Sequence, residues 1–140
     1  MRAGFLLSNA VPIDPSLNSG KWVSLERAVR RHAMNQDSVI VVTGPLFSES
    51  TERIGAGEVA VPRALFKAVL AQQGAGLALF ATVLPNQANP SEPIGDFAVS
   101  VDEVESHSGL DLFPDLPPSV QQPLEATVRP LPTRPQRAPR

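Results

Sequence analysis

Apolar positions change their period several times along this chain, and each change marks off a segment. Trp22, Leu25, Ala28, Val29 and Ala33 recur at helical spacing, which predicts a helix of about fourteen residues ending at Met34. Leu17-Asn18-Ser19-Gly20 supplies its start and Asn35-Gln36-Asp37 its end. Val39-Ile40-Val41-Val42-Thr43 follows as a continuous β-branched run stopped by Gly44-Pro45, the pattern of a buried strand. Residues 48–57 are polar and contain glycine, which predicts a loop. Val59-Ala60-Val61-Pro62 reads as a short strand, residues 64–71 as an extended or mixed segment, and residues 77–84 as a second long apolar strand. Residues 85–93 form a loop rich in Asn and Pro. Phe97-Ala98-Val99-Ser100-Val101 alternates, then leads into a short helix over 102–107 capped by Ser108-Gly109. Ahead of all of these, residues 5–11 read as a short strand closed by Pro12 and Pro15. The order of helices and strands predicts an α+β fold with a central mixed sheet flanked by helices.

Composition narrows the chemistry. The 140 residues suit one domain, and 42% hydrophobic with 19% charged content fits a globular protein. No cysteine is present, which excludes a disulfide framework, a thiolate metal site and a cysteine nucleophile. No apolar run reaches the roughly eighteen residues of a membrane span, so no membrane is expected as a partner. The apolar Phe5-Leu6-Leu7 is too short for the core of a cleavable signal, and Ser8 and Asn9 interrupt it. The net charge of −2 conceals an uneven distribution. Residues 1–67 hold eight basic and six acidic groups; residues 68–125 hold eight acids and no Lys or Arg. From Pro114 proline dominates, and the last fifteen residues carry four Pro and four Arg. Residues 118–140 therefore read as a disordered Pro/Arg-rich tail.

Asn18, Trp22, Glu26 and Arg30 stand four residues apart. On one continuous helix each such step turns about 40° past a full circle, so the side chains form a slowly drifting ridge. An amide oxygen, a carboxylate and a guanidinium on one face suit a cation and a phosphate. The structural alternative is an amphipathic helix whose Glu26 and Arg30 pair at the surface for about 0.3 kcal/mol. Trp22 reads as core, and Arg27 and Arg31 as a solvated face that also favours nucleic acid electrostatically. Asp102, Glu103 and Glu105 open a short helix, where acids suit the dipole.

The flanks of the ridge resemble the DNA/RNA non-specific endonucleases, the ββα-metal nucleases that include endonuclease G. Phe5-Leu6-Leu7-Ser8-Asn9-Ala10-Val11-Pro12 is similar to that family's strand ending in Ser-Asn-x-x-Pro-Gln, with Ile13 in place of the Gln. Asn18, Trp22, Leu25-Glu26 and Arg30 match its metal-site helix, and Val41-Val42-Thr43-Gly44-Pro45-Leu46-Phe47 its Thr-Gly-Pro strand. Val61-Pro62 with Phe66-Lys67, Pro85-Asn86, and the stretch from Val99 to Glu105 with Gly109-Leu110-Asp111 and Phe113-Pro114 continue the series in order.

The resemblance implies a ββα-metal nuclease fold over residues 1–117, the C-terminal part of an endonuclease domain, with the N-terminal part of the fold absent. It implies Asn18 as the direct ligand of Mg²⁺, other divalent cations being possible. It implies Glu26 as the carboxylate that orients the ion's water, and Arg30 as the cation that neutralises the scissile phosphate. Asn9 corresponds to a polar residue beside the site. Arg27 and Arg30 are the candidate nucleic-acid contacts, DNA and RNA the implied partners, and a homodimer an open possibility. The family's Asp-Arg-Gly-His motif, which carries the general base, lies upstream of the matched segments. No histidine precedes the ridge here. On a continuous helix His32 would stand about 21 Å from Asn18, beyond the reach of a base. The expectation is a Mg²⁺-dependent endonuclease by family, with little or no activity as this chain alone. The alternative is a non-catalytic remnant that binds nucleic acid or a partner.

Overall fold

The computed structural model describes residues 10–133. Four antiparallel strands form its centre in the order β1 (Ser38–Leu46), β4 (Ala64–Gln73), β5 (Gly76–Pro85), β6 (Ala98–Val99). A separate two-stranded ribbon pairs β2 (Arg53–Ile54) with β3 (Val59–Ala60). Every strand pair among the described residues is antiparallel, so the sheet is antiparallel rather than mixed. The α+β expectation holds.

The long hairpin is made by β4 and β5, which pair from Ala64↔Pro85 to Gln73↔Gly76 and leave Gly74 and Ala75 in the turn. Gly74 takes a φ of +57°, a value that suits glycine in a two-residue hairpin loop, and its N–H donates to Asp37 Oδ2 at 2.7 Å. The period of two then assigns the side chains. Leu65, Val69, Ala71, Phe80 and Leu84 pack on one face with Leu17, Trp22, Leu25, Ala28 and Val29. Ala64, Phe66, Ala68, Leu79 and Ala81 pack on the other with Val101, Val104, Leu112 and Phe113. One face is thus covered by α1 (Pro15–Ser19) and α2 (Lys21–Ala33), and the other by α3 (Val101–Ser108) and α4 (Pro118–Glu125).

The Gly44-Pro45 pair does not stop β1, which runs through it to Leu46. A proline is tolerated on a strand that is the sheet's edge among the described residues. Gly44 has a packing reason: a Cβ there would stand 2.8 Å from the Phe66 ring. The alternating segment at 97–101 contributes only two strand residues, because a 3₁₀ turn over Ile94–Phe97 precedes them. α3 follows the expected chemistry, with Ser100 Oγ accepting from the Glu103 N–H at 3.1 Å and Gly109 closing the helix at a φ of +73°.

Two expectations are corrected. The helix expected to end at Met34 is present as α2, but the continuous helix assumed for the ridge from Asn18 to Arg30 is two helices, broken at Gly20. The tail expected to be disordered from 118 is structured in its first part. Residues Pro118–Glu125 form α4, with Pro118 in its first turn, where the missing N–H costs nothing. Leu131, held between Pro130 and Pro132, is 4% exposed and joins the α2-side core. Composition alone counts those prolines as disorder-promoting; here they flank a buried anchor. Residues 134–140, and residues 5–9 of the strand expected over 5–11, Asn9 among them, lie outside the described residues, while Ala10 and Val11 are not in a strand.

Candidate active site

Asp14 opens α1. Its carboxylate accepts from the N–H groups of Ser16 at 2.9 Å and Leu17 at 3.3 Å, and from Ser16 Oγ at 2.7 Å. The Ser16 hydroxyl bond, aided by the two backbone bonds, holds the Asp14 carboxyl below the usual carboxylate value against a smaller opposing effect of burial. Leu17 plugs the core, and Asn18, the next residue, is exposed. The helix then breaks at Gly20, whose φ and ψ are both −107°.

The break is built from outside α1 and α2. Asn89, in the loop after β5, accepts from the Lys21 N–H at 2.8 Å through Oδ1, and its own N–H donates to Ser16 Oγ at 2.9 Å. It caps α2 in place of a residue from the helix itself. A Cβ on Gly20 would lie 2.6 Å from Asn89 Oδ1 and 2.7 Å from the Ser16 carbonyl. Asn86 ties down the segment before α1. Its Nδ2 donates to the carbonyls of Pro12 and Pro62, each at 2.9 Å, while Oδ1 accepts from the Asp14 N–H at 2.8 Å.

α2 seats its apolar side on the sheet and raises Glu26, Arg27 and Arg30 from it. Trp22 is 6% exposed, a core residue as its spacing predicts. Arg27 and Arg30 are exposed. Glu26 does not pair with Arg30. Among the described residues its ion pair is with Lys67 of β4, Nζ to Oε1 at 3.9 Å. Lys67 Nζ also donates to Thr43 Oγ1 of β1 at 2.9 Å and lies 4.7 Å from the centre of the Trp22 ring. Thr43, Lys67 and Thr82 are register partners across β1, β4 and β5, a polar row on the α2 side of the sheet. Burial lowers the Lys67 ammonium below the ordinary lysine value, and the Glu26 carboxylate partly restores it.

Neither histidine joins this group. His32, on the last turn of α2, meets Phe80 edge-on with ring centroids 5.1 Å apart. Its Nε2 is buried without a partner among the described residues, and burial pulls its proton affinity down. The 21 Å separation assumed an unbroken helix and does not carry over, but His32 remains at the far end of α2 from Asn18. His107 lies on α3, across the sheet.

Sequence reasoning missed Lys67, Thr43, Asn86 and Asn89 as working parts of this region. Lys67 has a signal: a lone cation inside the apolar run from Ala64 to Leu70 needs a partner. Strand register brings Thr43 to it, and the packing of α2 on the sheet brings Glu26.

The described residues contain one cluster of three carboxylates that could hold a cation. Asp102 and Glu105 of α3 and Glu125 of α4 bring carboxylate oxygens within 4.8 Å of one another. Glu105 Oε1 accepts from the Leu112 N–H at 2.8 Å, and Glu125 Oε1 from Gln121 Nε2 at 2.9 Å. Burial raises Glu125 above the usual carboxylate value, and the charges of Glu105, Asp102 and Asp111 add to that against the Gln121 bond. This group lies on the opposite face of the sheet from α2. No described helix is long and apolar enough to cross a membrane.

Comparison with known proteins places the chain and its fold in a family. A family model for DNA/RNA non-specific endonucleases matches residues 1–119. The human mitochondrial nuclease EXOG is 38% identical over 131 residues, covering 83% of this chain and 36% of that protein. Human mitochondrial endonuclease G is 34% identical, covering 80% of this chain and 42% of its own length. The nuclease of Serratia marcescens is 32% identical, covering 90% and 49%. A chain in the crystal structure of the EndoG/EndoGI complex superposes with a TM-score of 0.73 at 32% identity, covering 81% of this chain and 51% of that one. The chain spans between 36% and 51% of the length of these relatives. It belongs to the DNA/RNA non-specific endonuclease family.

Proposed function

We propose that this chain carries the cation-holding half of a phosphodiester-cleaving site for DNA and RNA, with Asn18 as ligand to a divalent cation, Mg²⁺ first among them. The observation that carries this reading is that the Asn18 side chain has no structural task among the described residues. Asp14 caps α1, Leu17 fills the core and Asn89 caps α2, while the Asn18 amide is exposed on the turn leading into the Glu26 helix. A neutral amide oxygen suits a hard cation that keeps most of its water. The Glu26 side chain, 42% exposed, is open enough to accept hydrogen bonds from such water.

A cation bound there would stabilise negative charge on phosphate oxygens and make water a better nucleophile. The chain's own residues do the rest. Glu26 orients water as acceptor, Arg30 neutralises the phosphate under attack, and Arg27 contacts the neighbouring backbone. The general base is not supplied by His32, which is packed on Phe80, so the chain alone cleaves poorly. Lacking a base costs about a hundred- to ten-thousandfold in rate.

Titration with Mn²⁺, read by electron paramagnetic resonance, tests the site: binding should be lost in Asn18→Ala, and equal binding by both proteins overturns it. A plasmid-nicking assay with Mg²⁺ tests the expected inactivity, which robust cleavage abolished by Asn18→Ala would refute. The positive charge of Lys21, Arg27, Arg30 and Arg31 along α2 favours a second reading, nucleic-acid binding without turnover. Salt-sensitive DNA binding by a nicking-incompetent chain is its signature, and no binding at low salt would exclude it.

A further inference from the structure

We infer that Lys67 is a positioning residue for Glu26: its ammonium, anchored by Thr43 and covered by Trp22, holds one oxygen of the Glu26 carboxylate so that the other is set to serve a cation at Asn18. The inference rests on the metal reading above and adds to it a residue from the sheet. Lys67 is a cation within an apolar strand, its side chain only 10% exposed. Burying an ammonium is costly unless every contact it makes compensates. Here the compensation has a direction. Thr43 Oγ1 at 2.9 Å fixes Nζ from β1, the Trp22 ring at 4.7 Å covers it from α2, and Glu26 Oε1 at 3.9 Å is its ionic partner.

The asymmetry of the pair matters. The Lys67 side chain is 10% exposed, with its Nζ bonded to Thr43 and lying over the Trp22 ring, whereas the Glu26 side chain is 42% exposed on a helix. The rigid member therefore sets the pose of the flexible one. Charge alone does not demand this arrangement: an exposed Arg30 four residues along α2 offers the simpler partner, and Glu26 is not paired with it. A carboxylate restrained through one oxygen loses less rotamer freedom when a cation arrives, and outer-sphere groups act on metal sites in this way.

A double-mutant cycle on Mn²⁺ binding by the full chain tests the inference. Lys67→Met removes the charge and keeps most of the stem; it should weaken Mn²⁺ binding by about tenfold. In a Glu26→Gln background the same substitution should change binding by less than about twofold, because its effect passes through the carboxylate. Lys67→Arg should restore binding to within about threefold of the parent, since the charge returns with different geometry. Circular dichroism checks folding. If Lys67→Met does not fold, Thr43→Val replaces it, loosening the anchor with the charge retained; a weakening that disappears in Glu26→Gln supports the inference, and none overturns it. Mn²⁺ binding that is unchanged or tighter in Lys67→Met, or weakened equally in both backgrounds, overturns the positioning role while leaving the metal site standing. A parent chain that binds no Mn²⁺ overturns the metal reading itself, and this inference with it.

Discussion

Among the described residues each face of the sheet buries one charged side chain, and the two faces treat it in opposite ways. On the α2 face Lys67 meets an opposite charge, a hydroxyl and an aromatic ring. On the α3–α4 face Glu125, 5% exposed, meets other carboxylates, with Gln121 as its hydrogen-bond donor. Both groups are pushed toward their neutral forms by burial, but Lys67 has an opposite charge that resists the push, whereas Glu125 has the Gln121 hydrogen bond against both burial and like charges. A cation paired with a helix carboxylate that is itself open to solvent has the makings of a working part. A carboxylate crowded by like charges costs stability at neutral pH.

The largest test of this contrast is Trp22→Ala. It should cost about 3–5 kcal/mol by denaturant unfolding, as truncation of a buried aromatic does. Phe66→Ala on the other face should cost a similar amount. Only Trp22→Ala should also move the Lys67 titration, seen by NMR of the lysine side chain, upward toward its ordinary value, because it uncovers the ammonium. Next in size, Gly20→Ala forces a Cβ against Asn89 and the Ser16 carbonyl and should destabilise by about 1–3 kcal/mol. A neutral result would mean that the helix break does not depend on that close approach.

Glu125→Gln acts in the other direction. A carboxyl whose folded-state proton affinity is raised holds more protons folded than unfolded, so stability falls as pH rises from about its ordinary 4.5 through the folded value. The variant should remove that fall and raise Tm at neutral pH by about 2–4 °C. The smallest effect is expected from Glu26→Gln on Lys67. Removing the carboxylate charge deletes the influence that raises Lys67, so its titration should move still lower. For a lysine lowered in the folded state, stability rises with pH from the folded value up to its ordinary 10.5. That rise should begin at lower pH in the variant.

Much of this architecture could be read from the sequence because its information is periodic. The runs within β1, β4 and β5 and the face of α2 announce themselves through spacing. Chain ends and junctions do not. Gly20 looks like a helix start, but Asn89, remote in sequence, decides that it separates two helices. Residues 118–131 look like a proline tail until the burial of Leu131 and the 118–125 helix are seen. The candidate site was legible on α1 and α2, where the resemblance concentrates on Asn18, Glu26 and Arg30. Its support was not. Lys67 has to be matched across strands with Thr43, and register cannot be counted from local spacing. The i,i+4 pairing of Glu26 with Arg30, the natural local guess, loses to that cross-element contact.

The Asn86 side chain carries a different kind of consequence. Its amide donates to two proline carbonyls from distant segments and accepts from Asp14, so three stretches of chain depend on which end of one side chain is nitrogen. Deamidation would change almost nothing in shape. It would replace a double donor by an oxygen facing two other oxygens, turning attraction to repulsion at both. The lifetime of the segment that leads into Asn18 is therefore tied to a slow chemical clock. The first sign of ageing in this protein should be the loosening of residues 12–14 from the sheet, before any loss of the core.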